Sequence, residues 1–328
     1  MIRQIHRTLG VALLVTILFG GAPVAADIAV DSDMPDYARV SGVAGSIKSV
    51  GSDTMNNLMT LWCEAFLSIY PNVQGEIEGK GSSTAPPALI EGTSNFGPMS
   101  REMKGSELDA FEAKHGYKPT GIVTAIDCLS VFVHKDNPIA KAGLTLEQVD
   151  AVFSKTLKRG HKPVRTWGDL GLTGEWKNAP ISLYGRNSAS GTYGYFKKHA
   201  LAKGDYKDEV KEQPGSASVV QGVASDKFAI GYSGIGYKTA DVAAVALQGK
   251  DGTMYGATAE NAYNGKYPLA RGLWLYVSHK PNSRLDPLRA EFLKLILSKA
   301  GQDQVVKDGY YPIKTAMVNR ARRTLGLD

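Results

Sequence analysis

Three short segments carry the residue types that hold an oxyanion: GSDTM at 51–55, GKGSST at 79–84 and GRNSASGT at 185–192. Each follows a strand-like stretch and runs into a helix-forming one. The first backbone N–H groups of a helix have no intrahelical acceptor, and they point outward at the positive end of the helix dipole. Ser and Thr hydroxyls at such a start add further donors, although the same residues also cap ordinary helices. The third segment adds charge, because Arg186 stands just ahead of Ser190, Gly191 and Thr192. A guanidinium beside neutral donors grips an oxyanion with two parallel hydrogen bonds; on a solvated loop it would pair with a surface carboxylate instead. Neither arrangement needs a reactive nucleophile.

Strand and helix patterns alternate along the chain, which predicts an α/β architecture with helices covering the sheets. A strand over 46–50 enters the first segment. A helix over 55–70 follows, with Leu58, Trp62, Ala65 and Ile69 on one face and Pro71 at its end. A strand over 73–78 enters the second segment, where Pro86 and Pro87 suit a first helical turn. A strand over 180–186 enters the third. Ser106 with Asp109, and Thr145 with Gln148, read as capping boxes. Asp286 and Pro287 start a C-terminal helix with Phe292, Leu293, Leu295 and Ile296 on its buried face. Two similar apolar stretches, LSVFVHKDNP from Leu129 and LWLYVSHKPN from Leu273, read as strands passing between two domains. The expected division is residues 27–127 with 268–328 as one domain and 128–267 as the other. Residues 27–45 look irregular and are expected to run over the surface.

A chain of 328 residues suits two domains. Its first 26 residues carry Arg3 and Arg7, an apolar run from Val11 to Phe19, and small residues at Val24, Ala25 and Ala26. That pattern is a secretory signal peptide cut after Ala26, and its apolar run is too short for a membrane span. The mature chain is expected in the periplasm or secreted. The formal charge of +6 falls to +4 once the leader's two arginines and no acids are removed. Lys and Arg are scattered among acids, so no nucleic-acid footprint is evident. Among enzyme signatures, GxSxG, HExxH and GxxxxGK[ST] are all absent, and the six histidines show no metal-ligand spacing and read mostly as surface residues. Cys63 and Cys128 are the only cysteines. In an oxidising compartment a disulfide between them and a pair of buried free thiols are both open.

Taken in order, GSDTMNNLM, GKGSSTAPPALIEGTSNFGPMSREM, GRNSASGTYGYF and AIGYSGIGY resemble the periplasmic phosphate-binding proteins of phosphate-specific ABC transporters, the pseudomonad type especially. The resemblance spans nearly all of the chain after the leader. It implies a type II periplasmic binding protein fold, two α/β domains with phosphate buried in the cleft between them. It also implies a binding protein without catalysis or cofactor, working as a monomer with the permease subunits of an inner-membrane ABC transporter. The matched ligand contacts are Thr54, the backbone of Met55, Ser82, Arg186, Ser190, Gly191 and Thr192. Ser100 stands where some members place an aspartate that accepts the phosphate proton. Asp53 is then either the replacement acceptor or an ordinary helix N-cap. Competing readings are another tetrahedral oxyanion, such as sulfate or a phosphonate, and a secreted phosphatase.

Overall fold

The sequence TGIVTAIDCLSVFVH is apolar almost throughout, as a strand buried on both faces must be. In the computed structural model, which describes residues 28–327, it forms one long strand, Thr120–His134. The expected leader lies outside the described residues. In chain order the strands are β1 (Gly45–Val50), β2 (Val73–Glu78), β3 (Phe96–Met99), β4 (Thr120–His134), β5 (Ser182–Arg186), β6 (Lys211–Gln213), β7 (Ala229–Gly234), β8 (Val242–Ala244), β9 (Leu247–Gln248), β10 (Met254–Tyr255) and β11 (Ala270–Val277).

The main sheet runs β2-β1-β3-β11-β4-β7-β5-β6, with β8 also on β4 and a separate β9–β10 ribbon. β4 changes partner along its length. Thr120 to Cys128 pair antiparallel with β11, whereas Leu129 to Val133 pair with β7. The hydrophobic cores divide at the same place. One cluster joins Ile47, Trp62, Phe96, Leu275 and Phe292, and the next joins Leu129, Phe153, Phe196, Ile230 and Leu269. Two lobes therefore share one strand, which changes partner between Cys128 and Leu129. The chain returns to the first lobe just before Ala270, since all of β11 is paired within that lobe.

Local signals hold up well. The strand over 73–78 and the helix Pro287–Ile296, N-capped by Asp286, sit where expected. Thr145 and Gln148 form a reciprocal capping box at 3.2 and 2.9 Å. The other box is displaced: the helix Gly105–His115 starts earlier than Ser106 requires, and Glu107 accepts the Lys104 N–H at 2.8 Å. The first long helix is Asn56–Ile69, preceded by a tight turn at Asp53–Met55. Its buried residues are Leu58, Met59, Trp62, Cys63 and Phe66, so the apolar face is rotated from the expected one and Ala65 and Ile69 lie at its edge. Residues 28–44 are irregular and mostly exposed, as expected, and are anchored where Met34 is buried and Asp31 accepts the Thr315 N–H at 3.0 Å. His279 is buried too, contrary to a surface reading of the histidines.

Cys63 and Cys128 are both free and buried, one in each lobe's core. The disulfide is thus excluded, because its halves belong to different packing units; burial raises both thiols above their ordinary range. Among the described residues no helix is long and apolar enough to cross a membrane.

Two stability outcomes follow. Phe66 is fully buried against Tyr70 and Phe292, with ring centroids 4.7 and 5.3 Å away. Phe66→Ala should cost about 3–5 kcal/mol in urea unfolding; a loss below about 1 kcal/mol would mean the first core is not built around this ring. Asp308 carries a buried carboxylate oxygen with no partner among the described residues and is pushed up to about 7 by burial. A carboxyl that resists ionising in the folded state ionises first in the unfolded chain, so stability is lost as pH climbs from the ordinary carboxyl range towards about 7. Asp308→Asn should raise the melting temperature at neutral pH and leave it unchanged in acid. Equal shifts at both ends would dismiss the titration.

Candidate functional site

The first two segments are fixed to each other before they meet the other lobe. Gly51 donates its N–H to Glu78, Gly81 to the Gly51 carbonyl at 2.7 Å, and Ser52 to the Pro98 carbonyl at 2.8 Å. These bonds set the ends of β1, β2 and β3 side by side. Thr54, Ser82 and Ser100 therefore emerge together at one edge of the first lobe. Met55 supplies a fully buried core side chain, and its N–H donates to the Ser52 carbonyl at 3.2 Å.

The third segment arrives from the second lobe. β5 ends at Arg186, and Ser190 caps the helix Gly191–His199 by accepting the N–H groups of Thr192 and Tyr193. The lobes touch closely here. Ser83 donates its N–H to the Ala189 carbonyl at 3.1 Å. A side chain at Gly81, which has φ +107°, would lie 2.6 Å from that same oxygen. One at Gly191 would meet the hydroxyls of Ser82 and Ser100 within 2.6 Å. Both glycines are required by the closeness of approach.

Across this contact the hydroxyls form one continuous network. Thr54 Oγ1 lies 2.9 Å from Thr192 Oγ1, Thr192 donates to Ser100 Oγ at 3.4 Å, and Ser82 and Ser100 are 3.1 Å apart. All four side chains are buried. Concentrated hydroxyls with no apolar purpose at the meeting point of two lobes form a polar site that an anion's oxygens can enter by replacing hydroxyl-to-hydroxyl bonds.

Arg186 lies beside this network and does not bond to its hydroxyls. Its guanidinium donates to Ser216 Oγ at 2.6 Å and to the Pro214 carbonyl at 2.9 Å, and pairs with Asp53 at 3.1 Å. Burial lowers its pKa, against the opposing field of Asp53. The Arg186 Nε is buried and has no partner among the described residues. Asp53 does not cap its own helix. It reaches across to accept the Ser216 N–H at 2.7 Å, capping the start of Ser216–Ser225 in the other lobe. The N-cap expectation for Asp53 missed this because the partner is 163 residues away.

Sequence reasoning also passed over a second arginine. Arg271 is paired with fully buried Asp127 through Nε and Nη2, at 2.9 and 2.8 Å. It further donates to the Ser100 carbonyl and to Thr192 Oγ1, both at 2.9 Å. A signal existed: one opposite charge interrupts each of two apolar strands, ARGLWLYV and TGIVTAIDCLSVFVH. A cavity of about 700 Å³ adjoins the network, lined from both lobes by Ser83, Lys104, Ser190, Lys198 and Arg271 among others. Among the described residues no group of three or more His, Cys, Asp or Glu could hold a metal ion.

Residues 38–300 match the PBP superfamily domain. The chain is 57% identical over 318 residues to the phosphate-binding protein PstS of Pseudomonas aeruginosa, covering 96% of this chain and 98% of that one. It is 29% identical to PstS of Staphylococcus haemolyticus, over 83% of each. Among solved structures it resembles a phosphate ABC transporter substrate-binding protein with bound phosphate from Clostridium perfringens, at TM-score 0.68 and 29% identity, covering 82% of this chain and all of that one. An ABC-type phosphate transport receptor from Vibrio cholerae, at TM-score 0.61 and 20% identity over 83% of this chain and all of that one, shares the fold. The chain belongs to the PBP superfamily and, within it, to the family of the phosphate-binding protein PstS.

Proposed function

We propose that this chain captures inorganic phosphate between its lobes, outside the inner membrane, and delivers it to the permease subunits of an ABC importer. The observation that carries this reading is the buried network of Thr54, Ser82, Ser100 and Thr192, whose members come from opposite lobes. A dehydrated oxyanion must regain many hydrogen bonds at once, and hydroxyls, helix-start amides and a guanidinium supply them. Ser190, Gly191 and Thr192 offer the start of one helix, and the unpartnered Arg186 Nε offers a charged donor. With donors divided between lobes, phosphate favours the closed arrangement by the difference in affinity, and closure is what a permease can sense.

In this reading residues 27–127 with 268–328 form one domain and 128–267 the other, and residues 1–26 are removed on export. A single copy contains every group required, which supports a monomer. Asp53 acts as the counter-ion of Arg186 and does not receive the phosphate proton.

Calorimetry on protein stripped of ligand tests the reading. The expected result is one phosphate per chain, bound tightly; absence of heat with correctly folded protein would end it. Arg186→Ala should weaken binding by about 2–5 kcal/mol, since it leaves a buried anion short of a charged partner. A change under about 0.5 kcal/mol would reassign Arg186 to the scaffold. Asp53→Asn should leave the preference for phosphate over sulfate unaltered. A gain in sulfate competition would restore Asp53 as the proton acceptor.

A further inference from the structure

A hydroxyl can give or take a hydrogen bond, so a network of four has no fixed direction unless something outside it imposes one. Here two fixed donors stand behind it. The Ser100 N–H donates to Ser82 Oγ at 3.0 Å, and Arg271 Nη2 donates to Thr192 Oγ1 at 2.9 Å. A guanidinium cannot accept, so Thr192 must use its own hydrogen in the forward direction, towards Thr54 or Ser100. Arg271 cannot turn away. It is anchored by two bonds to Asp127 and one to the Ser100 carbonyl, and its side chain is 2% exposed. Asp127 is fixed in turn by the Ile235 N–H at 3.0 Å.

The pair also brings charge to within one hydroxyl of the site. The groups that face Arg271 are Asp127 from β4, Arg186 from β5, Tyr195 and His199 from the helix Gly191–His199, and Tyr310. Tyr195, whose ring lies 5.2 Å from the guanidinium, is pushed up to about 12 by burial, and burial holds His199 below its ordinary value. Asp127 is the carboxylate that pairs with Arg271.

We propose that Arg271, held by Asp127, is a positioning residue that commits Thr192 to donation and sets which protonation state of phosphate the site prefers. This rests on the reading of the cleft as a phosphate site. Without the guanidinium, Thr192 can turn to accept, and the Asp127 carboxylate is left as an uncompensated negative charge beside the site. The dianion then suffers more than the monoanion. Without the Asp127 charge the sign reverses.

The test is the phosphate dissociation constant from about pH 6 to about pH 8, over which phosphate passes from monoanion to dianion. Relative to wild type, Arg271→Gln should lose affinity by a further factor of about ten or more as pH rises, and Asp127→Asn should gain in the same direction. The double variant, neutral at both positions, should run parallel to wild type. Arg271→Lys should be weaker throughout yet also parallel, since it keeps the charge and loses the forked contact. A parallel profile for Asp127→Asn would overturn the proposal by itself, so it stays testable if Arg271→Gln does not fold. A wild-type protein that binds no phosphate would instead end the functional reading on which it rests.

Discussion

A carboxylate with no solvent contact must be matched or it surrenders its charge, and Asp127 is matched by Arg271. The two residues are direct register partners on β4 and β11, at the last rungs before β4 leaves β11 for β7. The ion pair therefore sits where the chain passes between lobes. Its guanidinium holds the Ser100 carbonyl at the end of β3 in one lobe and the Thr192 hydroxyl at a helix start in the other. Removing either partner would leave a buried charge alone, a loss of about 3–5 kcal/mol. The same bonds that keep the lobes in register thus place the hydroxyls of the site.

What could be read in the sequence was whatever short-range chemistry decides. Helix starts at Asp286 and Thr145 and the strand over 73–78 depend on neighbours a few residues apart. The grouping of Thr54, Ser82 and Thr192 was also readable, because each stands at a strand-to-helix junction of the same kind. The rotated face of Asn56–Ile69 was not, since Cys63 is buried by the close approach of Gly75 on β2, a tertiary fact. Asp53 looked like a local cap because its true partners, Arg186 and Ser216, lie far along the chain. Arg271 carried no motif. Only the pairing of its strand with the one bearing Asp127 gives it meaning.

The buried charges in contact with the network come in two couples, Arg186 with Asp53 and Arg271 with Asp127. Their formal sum is zero, and the lysines Lys104 and Lys198, unmatched among the described residues, stand further out, in the adjoining cavity. At the network itself the donors are oriented dipoles: hydroxyls, the helix start at Gly191, and guanidinium hydrogens not taken up by the carboxylates. This suits selection among anions better than bare charge does. A field of net charge attracts every anion of the same valence, whereas a set of donors with fixed direction asks where each lone pair and each proton lies.

Dipoles act over short distances, and this couples selection to closure. In the proposed capture cycle, parting the lobes would leave Thr54, Ser82 and Ser100 on one side and Ser190, Thr192 and Arg186 on the other, so that each half offers an anion only part of its hydration shell. When the lobes meet, Gly81 and Gly191 allow the backbones close enough for both sets to reach one point. A ligand whose oxygens satisfy both halves gains from closure, and one that leaves a donor or acceptor unmatched does not. On the proposed reading the closed shape is populated in proportion to fit, because the donors that would judge the ligand are the same groups that bridge the lobes.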